Sequence, residues 1–197
     1  MNVTIKKTER ILDDLFKVDR ATLQYEKFNG EMSAELTRLN FVRGHSAALL
    51  IYNADSNSII LSRQFRYPSY AVDNEKGWLW EIIAGTIERG ESALQSIQRE
   101  ALEEAGYRIR DPEYVYEFFV SPGGSSEKIT LYFAEVEARN RIGSGGGEAI
   151  EGEDLEIREV PIPEAMQMMA TGEICDAKTI IALQWFANRA AVKKQWA

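Results

Sequence analysis

Two short runs near the N-terminus, Ala21-Thr22-Leu23-Gln24-Tyr25 and Glu35-Leu36-Thr37-Arg38-Leu39, alternate apolar and polar positions. That is the period-two signature of half-buried strands. Phe28-Asn29-Gly30-Glu31 between them reads as a hairpin turn. Residues 1–43 are therefore expected to form a small β-appendage, and residues 44–197 the main domain. In the latter, Ala47 to Tyr52 and Ser58 to Ser62 are apolar enough for strands. They flank Asn53-Ala54-Asp55-Ser56-Asn57, a turn by composition. A further apolar stretch, Trp78 to Ile83, runs into Ala84-Gly85.

The pattern changes to a helical period over Ser92 to Ala105. Ser92 with Gln95 three residues on makes a capping box, and Gly106 stands where a helix-terminating glycine belongs. Leu94, Ile97, Ala101 and Ala105 make the apolar stripe. Val115 to Val120 and Ile129 to Val136 read as strands. Gly143-Ser144-Gly145-Gly146-Gly147 reads as a flexible loop, with an acidic sequel from Glu148 to Glu156. Two helices follow, Pro163 to Thr171 closed by Gly172, and Ala177 to about Lys194. Strands, one helix, strands and then helices predict an α/β sandwich with a mixed sheet.

Composition narrows the chemistry. The chain has 197 residues, enough for one full-sized domain with a small appendage. Its formal net charge of -8 argues against nucleic-acid binding, which needs a basic footprint. It does not argue against a small phosphate ligand, because local arginines or a bound metal reverse the field. One Cys, Cys175, and one His, His45, exclude an internal disulfide and a Cys/His-rich metal site. A metal bound here takes mainly oxygen ligands, which favours magnesium, manganese or calcium. With no signal-peptide core and no run long enough to span a bilayer, a cytoplasmic protein without membrane attachment is expected.

The informative stretch is Gly85 to Gly106, GTIERGESALQSIQREALEEAG. Glu100 and Glu104 are i,i+4 neighbours on the helix, and Glu103 lies on the other side of Glu100. Judged on charge alone, such a cluster is usually a solvated face. The spacing says otherwise. Gly85, Glu91, Arg99, Glu100, Ala101, Glu103, Glu104 and Gly106 match Gly-x5-Glu-x7-Arg-Glu-apolar-x-Glu-Glu-x-Gly. A chance match at a given start is rarer than about one in a hundred million on background composition. This pattern resembles the signature of the Nudix hydrolases, with Tyr107 in place of the usual aliphatic residue that follows. Pyrophosphate cleavage needs charge neutralisation at phosphoryl oxygens and an activated water, and two rigid carboxylates can hold the hard cation that supplies both.

The resemblance implies a Nudix α/β/α sandwich with mixed β-sheet and an N-terminal β-appendage. It makes Glu100 and Glu104 the core ligands of Mg²⁺, or of Mn²⁺, with Glu103 assisting and the Ala84 carbonyl joining them. Gly85 lets the backbone approach, Arg99 holds Glu103, and Glu91 orients the set. Further stretches, including Arg43-Gly44-His45, Gln64-Phe65-Arg66, Ser121-Pro122-Gly123-Gly124 and Ala182-Leu183-Gln184-Trp185, are similar to bacterial ADP-ribose pyrophosphatases. The Ser-Pro-Gly-Gly piece and the acidic loop are also similar to GDP-mannose pyrophosphatases. In these subfamilies a glutamate after the glycines activates the water. Here the run is Glu151-Gly152-Glu153-Asp154-Leu155, so Glu151 is the first choice of base, Glu153 the second and Glu148 the third.

By the same resemblance Arg66 contacts the phosphate side of the substrate, Arg38 the nucleotide side, and Phe28 stacks on the base. Glu81 and Glu127 are weaker candidates for substrate contact. His45, Cys175 and the Met166, Met168, Met169 group read as structural. The expected reaction is hydrolysis of a nucleoside diphosphate sugar, ADP-ribose to AMP and ribose 5-phosphate first, GDP-mannose as the alternative. The expected assembly is a homodimer with exchanged appendages. The rival class is a non-catalytic nucleotide-sensing domain, against which the intact glutamates and the absence of a basic composition argue. A purely structural domain has no use for three glutamates beside a glycine turn.

Overall fold

The computed structural model describes residues 1–147 and 152–195. The chain divides into two compact units, Met1–His45 with Phe118–Lys128, and Ser46–Glu117 with Ile129–Ala197. The first is a three-stranded antiparallel sheet in the order β1 (Val3–Asp13), β2 (Lys17–Tyr25), β3 (Leu36–Val42). The alternating runs at 21–25 and 35–39 lie largely in β2 and β3. Strand β1 lies inside the expected β-appendage, outside the two runs singled out. Two register shifts, at Ile5/Lys7 and Arg10/Leu12, break its period of two, and charged pairs stand among its apolar and polar ones. Glu9 pairs with Arg20 and Arg10 with Asp19 across the ladder. The stretch 118–128 belongs to this unit through Phe41 N–H to Gly124 O (2.8 Å) and Ser125 Oγ to Phe41 O (3.2 Å).

The second unit is built on β4 (Ser46–Asn53), β5 (Ser58–Phe65), β6 (Trp78–Glu81), β7 (Ile83–Thr86), β8 (Glu113–Phe119), β9 (Lys128–Val136) and β10 (Glu156–Pro161). They form one seven-stranded sheet along β10-β5-β4-β9-β8, with β6 on β5 and β7 on β4. The sheet is mixed as predicted, since β4 runs parallel to β9 and antiparallel to β5 and β7. Strand β10 escaped the sequence reading because charged residues separate its apolar ones, as suits a strand at the margin of a sheet. The six-residue helix α1 (Tyr67–Val72) escaped it too, having no buried residue to set a period.

Alternation along β4 makes the layers. Ala47, Leu49 and Ile51 join Ile97, Ala101 and Ala105 of helix α2 (Ala93–Glu103) and its exit in one core. Ala48 and Leu50, pointing the opposite way, are equally buried. On that face helix α4 (Ala177–Gln195) lays Phe186 against Tyr52 and Phe133, with ring centroids 5.2 and 5.7 Å apart. Helix α3 (Ile162–Thr171) packs on β10 and β5. The arrangement is an α/β/α sandwich. One member of the expected stripe is misplaced: Leu94 is 40% exposed, and Ala93, one turn before Ile97, packs on the core instead. Among the described residues, no helix is long and apolar enough to cross a membrane.

The apolar stretch Trp78 to Ile83 is broken rather than continuous. At Ile82 the chain leaves β5 and joins β4, and the buried Ile82 N–H loses its ladder partner. Thr179 in the first turn of α4 replaces it, its Oγ1 accepting that N–H at 2.9 Å while donating to Asp176 Oδ2 at 2.6 Å. Thr179→Val keeps the shape and orphans the buried donor. Urea unfolding should show a loss of about 1–3 kcal/mol, the cost of an unsatisfied buried polar group; an unchanged midpoint would refute this role.

Candidate active site

Helix α2 starts and ends on specific bonds. At its start Gln95 N–H donates to Ser92 Oγ (3.2 Å) and Ser92 N–H to Gln95 Oε1 (2.9 Å), the predicted capping box. At its end the last four carbonyls need partners outside the helix. The Ala101 carbonyl accepts from Tyr107 N–H and that of Leu102 from Gly106 N–H. The Glu103 carbonyl accepts from Gly147 N–H (3.2 Å) and the Glu104 carbonyl from Gly146 N–H (2.7 Å). The glycine run is thus not the free loop its composition suggested. It docks on the helix terminus, and Gly145 (φ 69°) has no room for a Cβ, which would overlap the Glu104 carbonyl oxygen.

The helix puts its carboxylates where the motif predicted proximity. Glu100 is 8% exposed and Glu104 2% exposed, so neither lies on a solvated face. Both lie against β7. The Ala84 N–H donates to Glu104 Oε2 at 3.3 Å, and a Cβ on Gly85 would overlap the Glu100 carboxylate. Glycine leaves room at this point of the strand for the Glu100 carboxylate. Arg99 ties the rest together. Its Nη1 lies 2.9 Å from Glu100 Oε1 and 2.8 Å from Glu103 Oε2, and its Nε and Nη2 reach Glu91 at 3.2 and 3.3 Å.

The electrostatics of the pair are unfavourable without a cation. Burial, with the neighbouring Glu103 and Glu153 and despite Arg99, raises the Glu100 pKa to about 7. Burial, then the charges of Glu100 and Glu153, raise that of Glu104 to about 8. Two buried carboxylates whose charges oppose one another, with the Ala84 N–H donating to Glu104, offer hard oxygen donors. That chemistry fits a divalent cation. Arg99 itself is held above its ordinary pKa, chiefly by its hydrogen bond to Glu91.

The substrate candidates fall into two groups. Arg66 and Glu81 lie in the second unit and bond to each other, Nε to Oε1 at 2.9 Å and Nη2 to Oε2 at 2.8 Å. Glu81 is buried, and Lys178 Nζ lies 2.6 Å from its Oε2 and 3.1 Å from Asp176 Oδ1. Burial works to raise the Glu81 pKa, but Arg66 and Lys178 overcome it and bring it down to about 2. Glu81 is therefore occupied in positioning Arg66, a role the sequence reading did not foresee. Lys178 and Asp176 were missed altogether, because nothing in a helix start marks a lysine as buried. Arg38, Phe28 and Glu127 lie in the first unit. Arg38 donates to its neighbour's carbonyl at Thr37, and Phe28 is 97% exposed. Glu127 is buried, 3.6 Å from Arg43 Nε. His45 accepts from Lys128 N–H through Nδ1, a structural contact. Glu148 and Glu151 lie outside the described residues, whereas Glu153 lies within them.

The raised carboxyls make metal-free stability fall with pH. A carboxyl whose folded pKa exceeds its unfolded value of 4.5 contributes stability below that value, and loses it as pH rises through the folded value. Glu81 acts oppositely and loses its contribution only as pH falls toward about 2. From pH 6 to 9 in EDTA the urea midpoint should therefore drop, and Glu104→Gln should be more stable than wild type at pH 9 by a few kcal/mol, at roughly 1.4 kcal/mol per pKa unit. A variant no more stable at pH 9 would contradict the burial of an uncompensated carboxylate.

Comparison with known proteins agrees with this geometry. Residues 42–183 match the family model described as NUDIX domain. The chain is 37% identical over 197 residues to "ADP-ribose pyrophosphatase" of Escherichia coli (strain K12), covering 100% of this chain and 93% of that protein. It is 35% identical over 183 residues to "GDP-mannose pyrophosphatase" of Shigella flexneri, covering 93% of this chain and 94% of that protein. A solved structure titled "Crystal structure of ADP compounds hydrolase" superposes with a TM-score of 0.70 at 22% identity, covering 100% of this chain and 97% of that one, a likeness of fold. With Glu100 and Glu104 of the motif buried against β7 and the family model matching most of its length, the chain belongs to the NUDIX family.

Proposed function

We propose that this protein hydrolyses the pyrophosphate bond of a nucleoside diphosphate sugar, with ADP-ribose, cleaved to AMP and ribose 5-phosphate, as the first choice. The observation that carries the reading is the buried Glu100–Glu104 pair against β7, oxygen donors suited to a divalent cation. The names of the two curated relatives support the substrate class, and they divide between ADP-ribose and GDP-mannose.

Glu100, Glu104 and the Ala84 carbonyl would hold the metal, Mg²⁺ first and Mn²⁺ second, with Glu103 assisting. When bound it neutralises charge on the phosphoryl oxygens and acidifies a water. Arg99 keeps Glu103 and Glu100 in place. Arg66, braced by Glu81, presents a guanidinium to a phosphate oxygen. One glutamate of the acidic segment takes the proton from the attacking water as a phosphorus–oxygen bond of the diphosphate breaks. Glu151 remains the first choice, and Glu153 is supported as the second by the influence of its charge on both metal-site carboxyls. Phe28 and Arg38 are proposed contacts of the nucleotide and Glu127 a weaker one. Phe28 offers an open ring face for stacking. A homodimer with exchanged N-terminal units, working in the cytoplasm, completes the reading.

Phosphate-coupled turnover of ADP-ribose and GDP-mannose, at matched concentration, should require Mg²⁺ and stop with EDTA. Faster turnover of ADP-ribose is the expected result. Preference for GDP-mannose would move the nucleotide pocket and leave the metal site, while no turnover of any nucleotide sugar would favour a nucleotide sensor. Glu104→Gln should fold and lose about 10³-fold or more in rate, as expected when a metal ligand that stabilises transition-state charge is lost. Glu151→Gln should keep metal affinity and lose rate; that phenotype in Glu153→Gln instead would transfer the base assignment.

A further inference from the structure

The glycine run has a second role besides satisfying a helix end. Gly146 and Gly147 donate to the carbonyls of Glu104 and Glu103, the two residues at the end of α2 whose side chains belong to the acid cluster. Farther along the chain the Leu155 N–H donates to the Gly146 carbonyl at 3.3 Å. Leu155 is buried, and β10 starts at the next residue. Gly146, Gly147 and Leu155 thus form a neck, joined through the first two to the terminal carbonyls of α2. Glu153 is folded back onto this neck: a Cβ on Gly147 would crowd Glu153 Oε2 and Cβ and Leu155 Cδ1.

We infer that Gly145–Gly147 is a positioning element for the proposed hydrolysis. It locks Gly146 and Gly147 to the terminal carbonyls of α2, and so sets Glu153, which lies against Gly147, in register with Glu100 and Glu104. This rests on the reading that Glu153 serves the reaction. A glycine run in a merely flexible loop tolerates alanine anywhere along it. A lock does not. Within this run the two ideas separate cleanly. Gly145 has a positive φ, and a Cβ there would overlap the Glu104 carbonyl. Gly143 has neither constraint, since a Cβ there meets only the Gly106 Cα at 3.6 Å, an ordinary contact.

The test compares Gly145→Ala with Gly143→Ala in the full-length protein. Backbone amide exchange of the metal-free protein reads the lock without activity: Gly146 and Gly147 should be protected in wild type and Gly143→Ala, and lose protection in Gly145→Ala. Steady-state kinetics, at a temperature where all variants are fully folded, read its consequence. Gly145→Ala should lose about tenfold to a hundredfold in kcat with KM changed less than about threefold, the pattern of misplaced groups rather than lost binding. Gly143→Ala should match wild type in both. A general loss of structure would not yield this split. If Gly145→Ala fails to fold, Gly147→Ala crowds Glu153 directly and should show the same kcat effect. Equal losses in Gly143→Ala and Gly145→Ala, or an unchanged kcat after exchange protection is lost, would overturn the positioning role alone. A wild-type protein inactive on every nucleotide sugar would overturn the reaction reading and the positioning role with it.

Discussion

The close approach of helix α2 to strand β7 is the constraint on which the rest of this structure depends. Glu100 and Glu104 are buried by it, and Gly85 leaves the room that the Glu100 carboxylate occupies. The core beneath it, Ala47, Ile97, Ala101 and Ala105, is made of residues small or branched enough to let helix and sheet close. Hydrophobic packing therefore supplies the free energy that forces two carboxylates together out of water. Neither ion nor helix would choose that arrangement by itself.

Two buried glutamates in the same unit show how differently such a cost is met. Glu81 receives Arg66 in two-point contact and Lys178 on the same side, so its charge is balanced within the protein. Its acidity is correspondingly strong, near a pKa of 2. Glu104, equally buried, receives one backbone N–H, and its pKa rises to about 8. A fold that needed only stability would have placed a cation or an apolar side chain there. A buried carboxylate left electrostatically incomplete at a motif position, while Glu81 is fully paired, is the kind of perturbed group that clusters at functional sites.

Much of this was legible in the sequence, and the exceptions share one physical cause. The motif helix, its capping box, the apolar strands β4, β5 and β9 and the mixed sheet follow from local periodicity and turn chemistry. What could not be read depends on partners remote in sequence. Strand β1 is set by its ladder with β2, where Glu9 meets Arg20 and Arg10 meets Asp19 among apolar and polar pairs. Strand β10 forms because β5 offers an unpaired edge. Lys178 is buried because Glu81, 97 positions earlier in the chain, waits for it. Of the site, the spacing reported Glu91, Arg99, Glu100, Glu103 and Glu104, whose mutual contacts run mostly along one helix. It could not report that Glu81 braces Arg66.

The glycine run shows the same limit from the other side. Composition alone equates five small residues with mobility, because glycine adds backbone freedom to an unfolded chain. Freedom in the unfolded state and order in the folded state are compatible, however. Glycine is also the residue that can enter the crowded space beside a helix terminus and turn its N–H groups onto waiting carbonyls. Here four carbonyls required donors, and chain from two separate stretches supplies them. The same feature that reads as slack in the sequence is thus a fixed joint in the fold. Glu153, lying against Gly147, is thereby referenced to the helix that bears Glu100 and Glu104, one rigid element rather than the mean position of a loop.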